Sequence, residues 1–447
     1  MNVVVIGMGY VGIPCAAVFA TVEGIKVIGV QRRSKRSGWK IDHINKGMCP
    51  ISGDEPGLEE LIRTTVQNKT FRVTDDVSVC KDADAILVDV QTPVDEHRVP
   101  VYEPLKSACE SVGEHLNQGT LVVIESTVPP GTTEHLVRPM LEKKSGLAAG
   151  DEFHLAFSFE RVKPGRLLHN LVHLPRIVGG LNDISGRKAA ELYSHIVKAN
   201  IVVTDCLTAE VTKCVENAYR DVNIAFANEV ALLCERLGVD AYEVRGLANT
   251  LSHVDVHAPG AGVGGHCLPK DTWLLLHGVE SYGEPGLLKP QVLTAARNVN
   301  DYMPRHVARL VETALLTDGR SLRSSKITIM GIAYLENTDD PRNTPALPLI
   351  RILQKKGAQL IAHDPHVKEF EGIALTSDLH KAVAGSDALV FVTRHKDYLT
   401  LSPQDLKSSM RGSVIVDARD IFDPSVFTAK GFTFLAVGKG KRRPTLG

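Results

Sequence analysis

No run of about 18 or more apolar residues occurs in the 447-residue sequence, so no segment reads as a membrane-spanning helix. The eight cysteines form no CxxC pair and no Cys/His cluster of metal-ligand spacing. That argues against a structural zinc and a disulfide framework, and it points to a reducing, cytoplasmic setting. Formal net charge is −1, which provides no global basic field for nucleic acid; the run KGKRRP near the C-terminus reads as a solvated tail. The chain opens directly into MNVVVIG, with neither a charged leader nor a small-residue cleavage site, and this reads as a first strand rather than a signal peptide. Solenoid repeats and low-complexity tracts are also absent. With 43% apolar and 23% charged residues, the composition is that of a globular chain long enough for about two to four domains.

Up to about residue 200, short apolar runs alternate with amphipathic stretches: NVVVIG, KVIGV, DAILVDV, TLVVIEST, FHLAFS and RIVGG. Near-continuous apolar runs are the mark of parallel strands buried on both faces, with helices as crossovers. From Thr208 the texture changes. Residues 208–237 contain no glycine and no proline, and Val211, Val215, Ala218, Val222, Ala225, Phe226 and Val230 recur at helical spacing. The pattern predicts one helix of about 45 Å, stopped by Gly238; such a helix commonly spans domains or forms a dimer core. A strand–helix rhythm returns in KITIMGIA, AQLIAHD, DALVFVT, SVIVDAR and FTFLAVG. The expected fold is α/β: two Rossmann-like, doubly wound parallel-sheet domains, residues 1–203 and 321–447, joined by a central helical domain over 204–320.

VVVIGMGYVGIP places Gly7-x-Gly9-x-x-Gly12 between a strand and a helix. The first glycine permits the turn, the second lets a pyrophosphate approach the backbone, and the third allows close strand–helix packing. This is a dinucleotide-binding context. The second strand ends in Gln31 where an acidic residue usually holds the adenine ribose, and Arg32, Arg33, Lys35 and Arg36 follow. Gln31 can bond a ribose hydroxyl, so NAD is expected, while the cations leave NADP open. The final domain carries only Gly331 where three glycines would be needed, so it reads as a Rossmann unit without a dinucleotide loop, able to bind a different nucleotide or simply to pack.

GVGGHCLPKD, residues 262–271, sets Cys267 among glycines and next to Lys270 and Asp271. Alone, it reads equally as a Gly-rich turn or as a nucleophile loop. Lys213, Asn217 and Arg220 fall at i, i+4 and i+7 of the long helix, either as a solvated stripe or as one wall of an active site. A hydride-accepting cofactor and a thiol that adds to a carbonyl imply one reaction type together. An alcohol is oxidised to an aldehyde, the thiolate forms a thiohemiacetal, and a second oxidation gives a thioester that water cleaves.

These motifs jointly resemble the nucleotide-sugar 6-dehydrogenases, the UDP-glucose/UDP-N-acetylmannosamine dehydrogenase family. They are GMGYVG, VQTP at 90–93, ESTVPPGTTE, EVTKCVENAYR, GVGGHCLPKD and GIAYLENTDDPRNTP, and they cover nearly the whole chain. The resemblance implies that Cys267 is the nucleophile, Lys213 the acid/base and oxyanion stabiliser, Asn217 a second oxyanion contact, Asp271 the residue positioning water, and Glu160 the glutamate of thioester hydrolysis. It implies cofactor contacts at Gly7, Gly9, Tyr10, Val11, Gly12, Gln31, Arg36, Thr92, Thr127, Lys270 and Arg342. For the UDP-sugar it implies Arg161, Val162, Lys213, Asn217, Arg220, His253, His257, Gly264 and Arg419. No metal is implied.

ERVKPG and GVGGHC are similar to the N-acetylamino-sugar branch, so a UDP-N-acetylhexosamine is the expected substrate, UDP-N-acetylmannosamine first, with UDP-glucose the alternative. Phe159 stands where the family carries proline, and Leu335 where a lysine is common. A one-step hydroxyacid dehydrogenase would leave residues 320–447 unexplained. A non-catalytic NAD-sensing protein would need no Cys267. The expected partners are the UDP-sugar and a second copy of the chain.

Overall fold

The six apolar runs of the N-terminal part all fold as strands, and two more join them. The computed structural model describes residues 1–35, 37–51, 53, 55–284, 286 and 290–440. In chain order the strands are β1 (Asn2–Ile6), β2 (Lys26–Val30), β3 (Phe71–Thr74), β4 (Ala85–Val88), β5 (Leu121–Ile124), β6 (His154–Phe157), β7 (Arg176–Gly180) and β8 (Ile201–Asp205). They form one sheet in the order β3-β2-β1-β4-β5-β6-β7-β8. β4, β5 and β6 are buried at every position, which matches the unbroken apolar sequences of β4 and β5 and the LAF of β6. Alternation along β1 sends Val3 and Val5 into one core layer and Val4 and Ile6 into the other.

One expectation needs correction. The sheet is not wholly parallel, because β6 and β7 pair antiparallel before β7 and β8 return to parallel pairing. A run such as RIVGG carries hydrophobicity but no direction, so its polarity has to come from the connection that precedes it.

The chain divides into two compact units. The first comprises Met1–Glu216 and Lys270–Leu288, the second Asn217–Pro269 and Lys289–Gly447. In the second unit, β9 (Lys326–Met330), β10 (Gln359–His363), β11 (Leu375–Thr376), β12 (Ala388–Phe391), β13 (Val414–Asp417) and β14 (Thr433–Ala436) form a parallel sheet ordered β11-β10-β9-β12-β13-β14. Ile327 and Ile329 face one core layer, and Leu389 and Phe391 the other.

The long helix runs from Cys206 to Leu237, two residues earlier than its periodicity indicates. Asp205 explains the early start, since its carboxylate accepts the Thr208 N–H at 2.7 Å and the Thr208 hydroxyl at 2.7 Å. Gly238, at φ +78°, ends it. Among the described residues no helix is long and apolar enough to cross a membrane, and all eight cysteines are free thiols.

Candidate active site

In the first unit the glycine loop divides into positions the protein itself requires and one it does not. A Cβ on Gly7 would stand 2.3 Å from the Asp89 carbonyl oxygen, and one on Gly12 would stand 2.0 Å from the Gly7 oxygen. A Cβ on Gly9 would meet nothing within 4 Å. That glycine keeps an open cradle at the start of the Gly12–Phe19 helix, which suits a pyrophosphate and fits a dinucleotide to this loop. Tyr10 and Val11 are half-buried in the turn that follows.

Gln31 is already engaged. Its carbonyl accepts the Met8 N–H at 3.1 Å, and its amide donates to the Ser37 hydroxyl at 3.0 Å. Arg32 donates to the Ser107 hydroxyl at 2.8 Å, and Arg33 is paired with Asp75 at 2.9 Å. Arg36 lies outside the described residues. Thr92 is buried and donates to the Thr127 carbonyl at 2.5 Å, which ties the two expected cofactor threonines into one contact.

Beneath this loop sits a buried ionic cluster that the sequence reading missed. Arg176 on β7 pairs with Glu125 at the end of β5, and its guanidinium covers the Tyr193 ring at 3.7 Å. Arg176 also donates to Ser158, while Glu125 accepts the Tyr193 hydroxyl at 2.7 Å and the Cys15 thiol at 3.7 Å. Burial, then the adjacent Glu125, pushes the Asp89 carboxyl well above the ordinary carboxylate range. The available signal was a charge inside an apolar run: Arg176 heads RIVGG and Glu125 ends TLVVIE.

Glu160 and Lys213 meet. The Lys213 ammonium donates to the Glu160 carbonyl at 2.7 Å and lies 3.6 Å from its carboxylate, with both side chains largely buried. The other carboxylate oxygen accepts the Val162 N–H. Phe159 is buried with its ring 5.2 Å from the Lys213 ammonium and 5.3 Å from the Arg161 guanidinium. Arg161 is held by Glu216 through both carboxylate oxygens. Lys270 and Asp271 are buried and paired at 2.5 Å on the helix Leu268–Tyr282.

In the second unit the loop bearing Cys267 is fitted around Tyr334. A Cβ on Gly264 would come 2.6 Å from the Tyr334 Cβ, and one on Gly265 would meet the Tyr334 ring at 2.7 Å. The Gly265 N–H donates to the Arg342 carbonyl at 2.8 Å, and the Asn343 amide donates back to the Gly265 carbonyl at 3.0 Å. Cys267 itself is half-buried. Burial, then Asp340, pushes the Tyr334 phenol up to about 12; Arg342 and Arg220 oppose that shift, and Cys267 adds to it. Those residues therefore share one electrostatic neighbourhood. Arg342 forms a fork on Asp340, with contacts of 2.6–3.0 Å. Asn217 is half-buried, Arg220 and His253 are exposed, and the His257 N–H donates to Asn223 at 2.9 Å. Arg419 donates to Glu336 at 3.0 Å beside Gly260, where a Cβ would stand 2.9 Å from the guanidinium.

The second sheet has the position equivalent to Gln31, and it is filled differently. Asp364 follows β10, and its carboxylate accepts the N–H groups of Ile332 at 2.7 Å and Ala333 at 2.9 Å, the turn after β9. The same oxygen faces His395 Nε2 at 3.2 Å. The other His395 nitrogen accepts the Asn337 N–H, so Nε2 carries the proton. The first amides of the turn after β9 are thus satisfied by the protein's own carboxylate.

Three family models match the chain: the UDP-glucose/GDP-mannose dehydrogenase family NAD binding domain over residues 1–197, its central domain over 207–302 and its UDP binding domain over 328–424. A UDP-N-acetyl-D-mannosamine dehydrogenase of Pyrococcus horikoshii is 38% identical over 442 residues, 98% of this chain and 100% of the relative. A solved structure of a UDP-D-ManNAc dehydrogenase from Pyrococcus horikoshii superposes with a TM-score of 0.91 at 37% identity, covering 99% of this chain and 100% of that one. A solved NDP-N-acetyl-D-galactosaminuronic acid dehydrogenase from Methanosarcina mazei has a TM-score of 0.87 at 40% identity, with 98% and 95% coverage.

Proposed function

The chain belongs to the UDP-glucose/GDP-mannose dehydrogenase family as an NAD-dependent nucleotide-sugar dehydrogenase, and from that premise we propose that it oxidises the C6 hydroxyl of a UDP-N-acetylhexosamine, UDP-N-acetylmannosamine first, to the uronate. The resemblance of GVGGHC and ERVKPG to the N-acetylamino-sugar branch supports this choice, as do the names of the relatives at 37–40% identity. The observation that carries the chemistry is the buried contact between Lys213 and Glu160.

Bound NAD supplies the hydride acceptor for both oxidations. The residues supply the rest. Lys213 as the neutral amine takes the proton from O6 and, as the ammonium so formed, holds the oxygen while negative charge develops there, with Asn217 as the second donor. The Cys267 thiolate adds to the aldehyde carbon, giving a thiohemiacetal, and oxidation of that adduct leaves a thioester. Glu160 accepts a proton from the attacking water, Asp271 helps position that water, and the carboxylate departs as the thiol is restored. The net change is one alcohol and one water to one carboxylate, with four electrons leaving the sugar.

The long helix carries Val215, Tyr219, Phe226, Leu233 and Leu237 at helical spacing, all exposed. We assign this stripe to a homodimer contact, since five large apolar side chains in line are more than a monomer leaves in water. The absence of paired cysteines supports a reducing, cytoplasmic location.

The test is spectrophotometric. Purified protein with NAD and a panel of UDP-N-acetylmannosamine, UDP-N-acetylglucosamine, UDP-N-acetylgalactosamine and UDP-glucose should reduce two NAD per sugar, fastest with an N-acetylated sugar. Faster turnover of UDP-glucose would move the assignment to the other branch, and one NAD per sugar would remove the thioester.

A further inference from the structure

The segment between β5 and the turn Thr133–Val137 is largely irregular, yet most of it is buried. Buried backbone donors require partners. Here a single side chain supplies two. Glu210, on the first turns of the long helix and fully buried, accepts the Gly131 N–H at 2.6 Å on one oxygen. On the other it accepts the Thr133 N–H at 2.9 Å and the Thr133 hydroxyl at 2.6 Å. One turn further along, the Cys214 thiol donates to the Val128 carbonyl at 3.6 Å. From the opposite side, the helix Leu268–Tyr282 closes on the loop so tightly that a Cβ on Gly278 would stand 2.6 Å from Pro130, and one on Gly131 would stand 2.6 Å from the Tyr282 ring.

This loop begins at Thr127, whose carbonyl is bound by Thr92. Glu210 stands three residues before Lys213 on the same helix. We propose that Glu210 is a positioning residue of the oxidation: its carboxylate fixes the Thr127 loop, and with it the cofactor that Thr127 contacts, relative to Lys213. The inference rests on the roles given above to Thr127 and Lys213. Three donors converge on two oxygens, an arrangement that an ionised carboxyl satisfies without any of them turning round. A neutral acid or an amide presents a donor of its own to one of them.

Burial works against that ionisation and pushes the Glu210 carboxyl up to about 7, opposed by the bonds from Thr133 and Gly131 and assisted by Glu134. The other titratable groups facing it are the Tyr102 and Tyr282 phenols and the Cys206 and Cys214 thiols. Burial drives the phenols and thiols up, so they are neutral through this range. Below about pH 7, Glu210 takes up a proton, one acceptor is lost and the loop is released from the helix.

The full-length protein, its Glu210→Gln variant and its Thr133→Val variant distinguish this from a merely structural role. NAD affinity, followed by quenching of intrinsic fluorescence, and kcat with UDP-N-acetylmannosamine are measured from pH 5.5 to 8.5. Wild type should lose NAD affinity and kcat as pH falls through about 7. Thr133→Val, which removes one bond from the carboxylate, should move that limb to higher pH. Glu210→Gln should abolish the limb and lower kcat more than tenfold, with the UDP-sugar KM changed less than threefold. An unchanged limb in Glu210→Gln, or wild-type kcat in that variant, overturns the proposal. If Glu210→Gln does not fold, an unmoved limb in Thr133→Val overturns it instead. Failure of wild type to oxidise any UDP-sugar would count against the proposed function, and Glu210 would then be decided on the NAD-affinity limb.

Discussion

The Lys213 ammonium is bonded to the backbone carbonyl of Glu160 at 2.7 Å while the side chain of the same glutamate stands 3.6 Å away. The lysine is therefore oriented by an uncharged acceptor, and the carboxylate is near without being fully committed to it. That arrangement separates the two residues' tasks. Glu160→Gln should leave the first oxidations intact and slow thioester cleavage. Rapid mixing should then show a burst of reduced cofactor, about two per site, followed by a steady rate at least tenfold below wild type. Lys213→Ala should show no burst at all.

Replacing Cys267 tests the GVGGHC loop directly. Cys267→Ala should bind NAD and UDP-sugar within about threefold of wild type and lose roughly 10^3-fold or more in turnover. Product analysis provides the check. Release of uronate by this variant with two NAD reduced per sugar would leave the thiol a packing residue.

The Arg176–Glu125 pair, almost wholly buried, predicts a stability effect. Arg176→Leu removes one partner and leaves Glu125 without its counter-charge, beside Asp89. Urea denaturation should show a loss of about 3–5 kcal/mol. Arg176→Leu combined with Glu125→Leu should recover part of it.

Cofactor choice turns on Gln31, whose amide is neutral and already bonded to the glycine turn. NAD should be preferred over NADP, but less strongly than a carboxylate would enforce, because Arg33 is occupied by Asp75 and Arg32 by Ser107. Gln31→Asp should widen the NAD preference in kcat/KM by roughly tenfold, about 1.4 kcal/mol. Equal efficiency of wild type with both cofactors would contradict this.

The exposed stripe yields the assembly prediction. Tyr219→Glu with Phe226→Glu should convert a dimer to a monomer in sedimentation velocity at micromolar protein, with helicity unchanged. A wild-type monomer under those conditions would remove the dimer.

What could be read in the sequence followed the range of the interactions. The strands that are apolar at every position, β4, β5 and β12, were legible because burial on both faces leaves its mark residue by residue. β8, with Val202 and Val203 exposed, and the four-residue β3 carried no such mark. The antiparallel turn of β7 could not be read from hydrophobicity. The tight packing at Gly7 and Gly12 was legible, and Cys267 could be singled out, because their neighbours in sequence are also their neighbours in chemistry. Glu125 and Arg176 are 51 residues apart, and Glu210 and Gly131 are 79 apart. Their contacts exist only once β5 and β7 have been placed in the sheet and the long helix laid beside it. Tyr334 stood in a recognised motif, but its function as the surface against which two glycines close needed coordinates.

Asp364 has a pharmacological consequence. Two sheets of one chain share a Rossmann-like strand order, yet in the second the first strand ends at Met330, the next helix begins only at Ala346, and the amides of Ile332 and Ala333 are already satisfied from within. An adenine dinucleotide mimic would have to displace a buried, hydrogen-bonded carboxylate to enter there. Calorimetric titration with NAD should therefore saturate at one equivalent per chain. A competitive inhibitor shaped like the cofactor would meet one receptor site in each molecule, with no second, weaker site to blunt its selectivity.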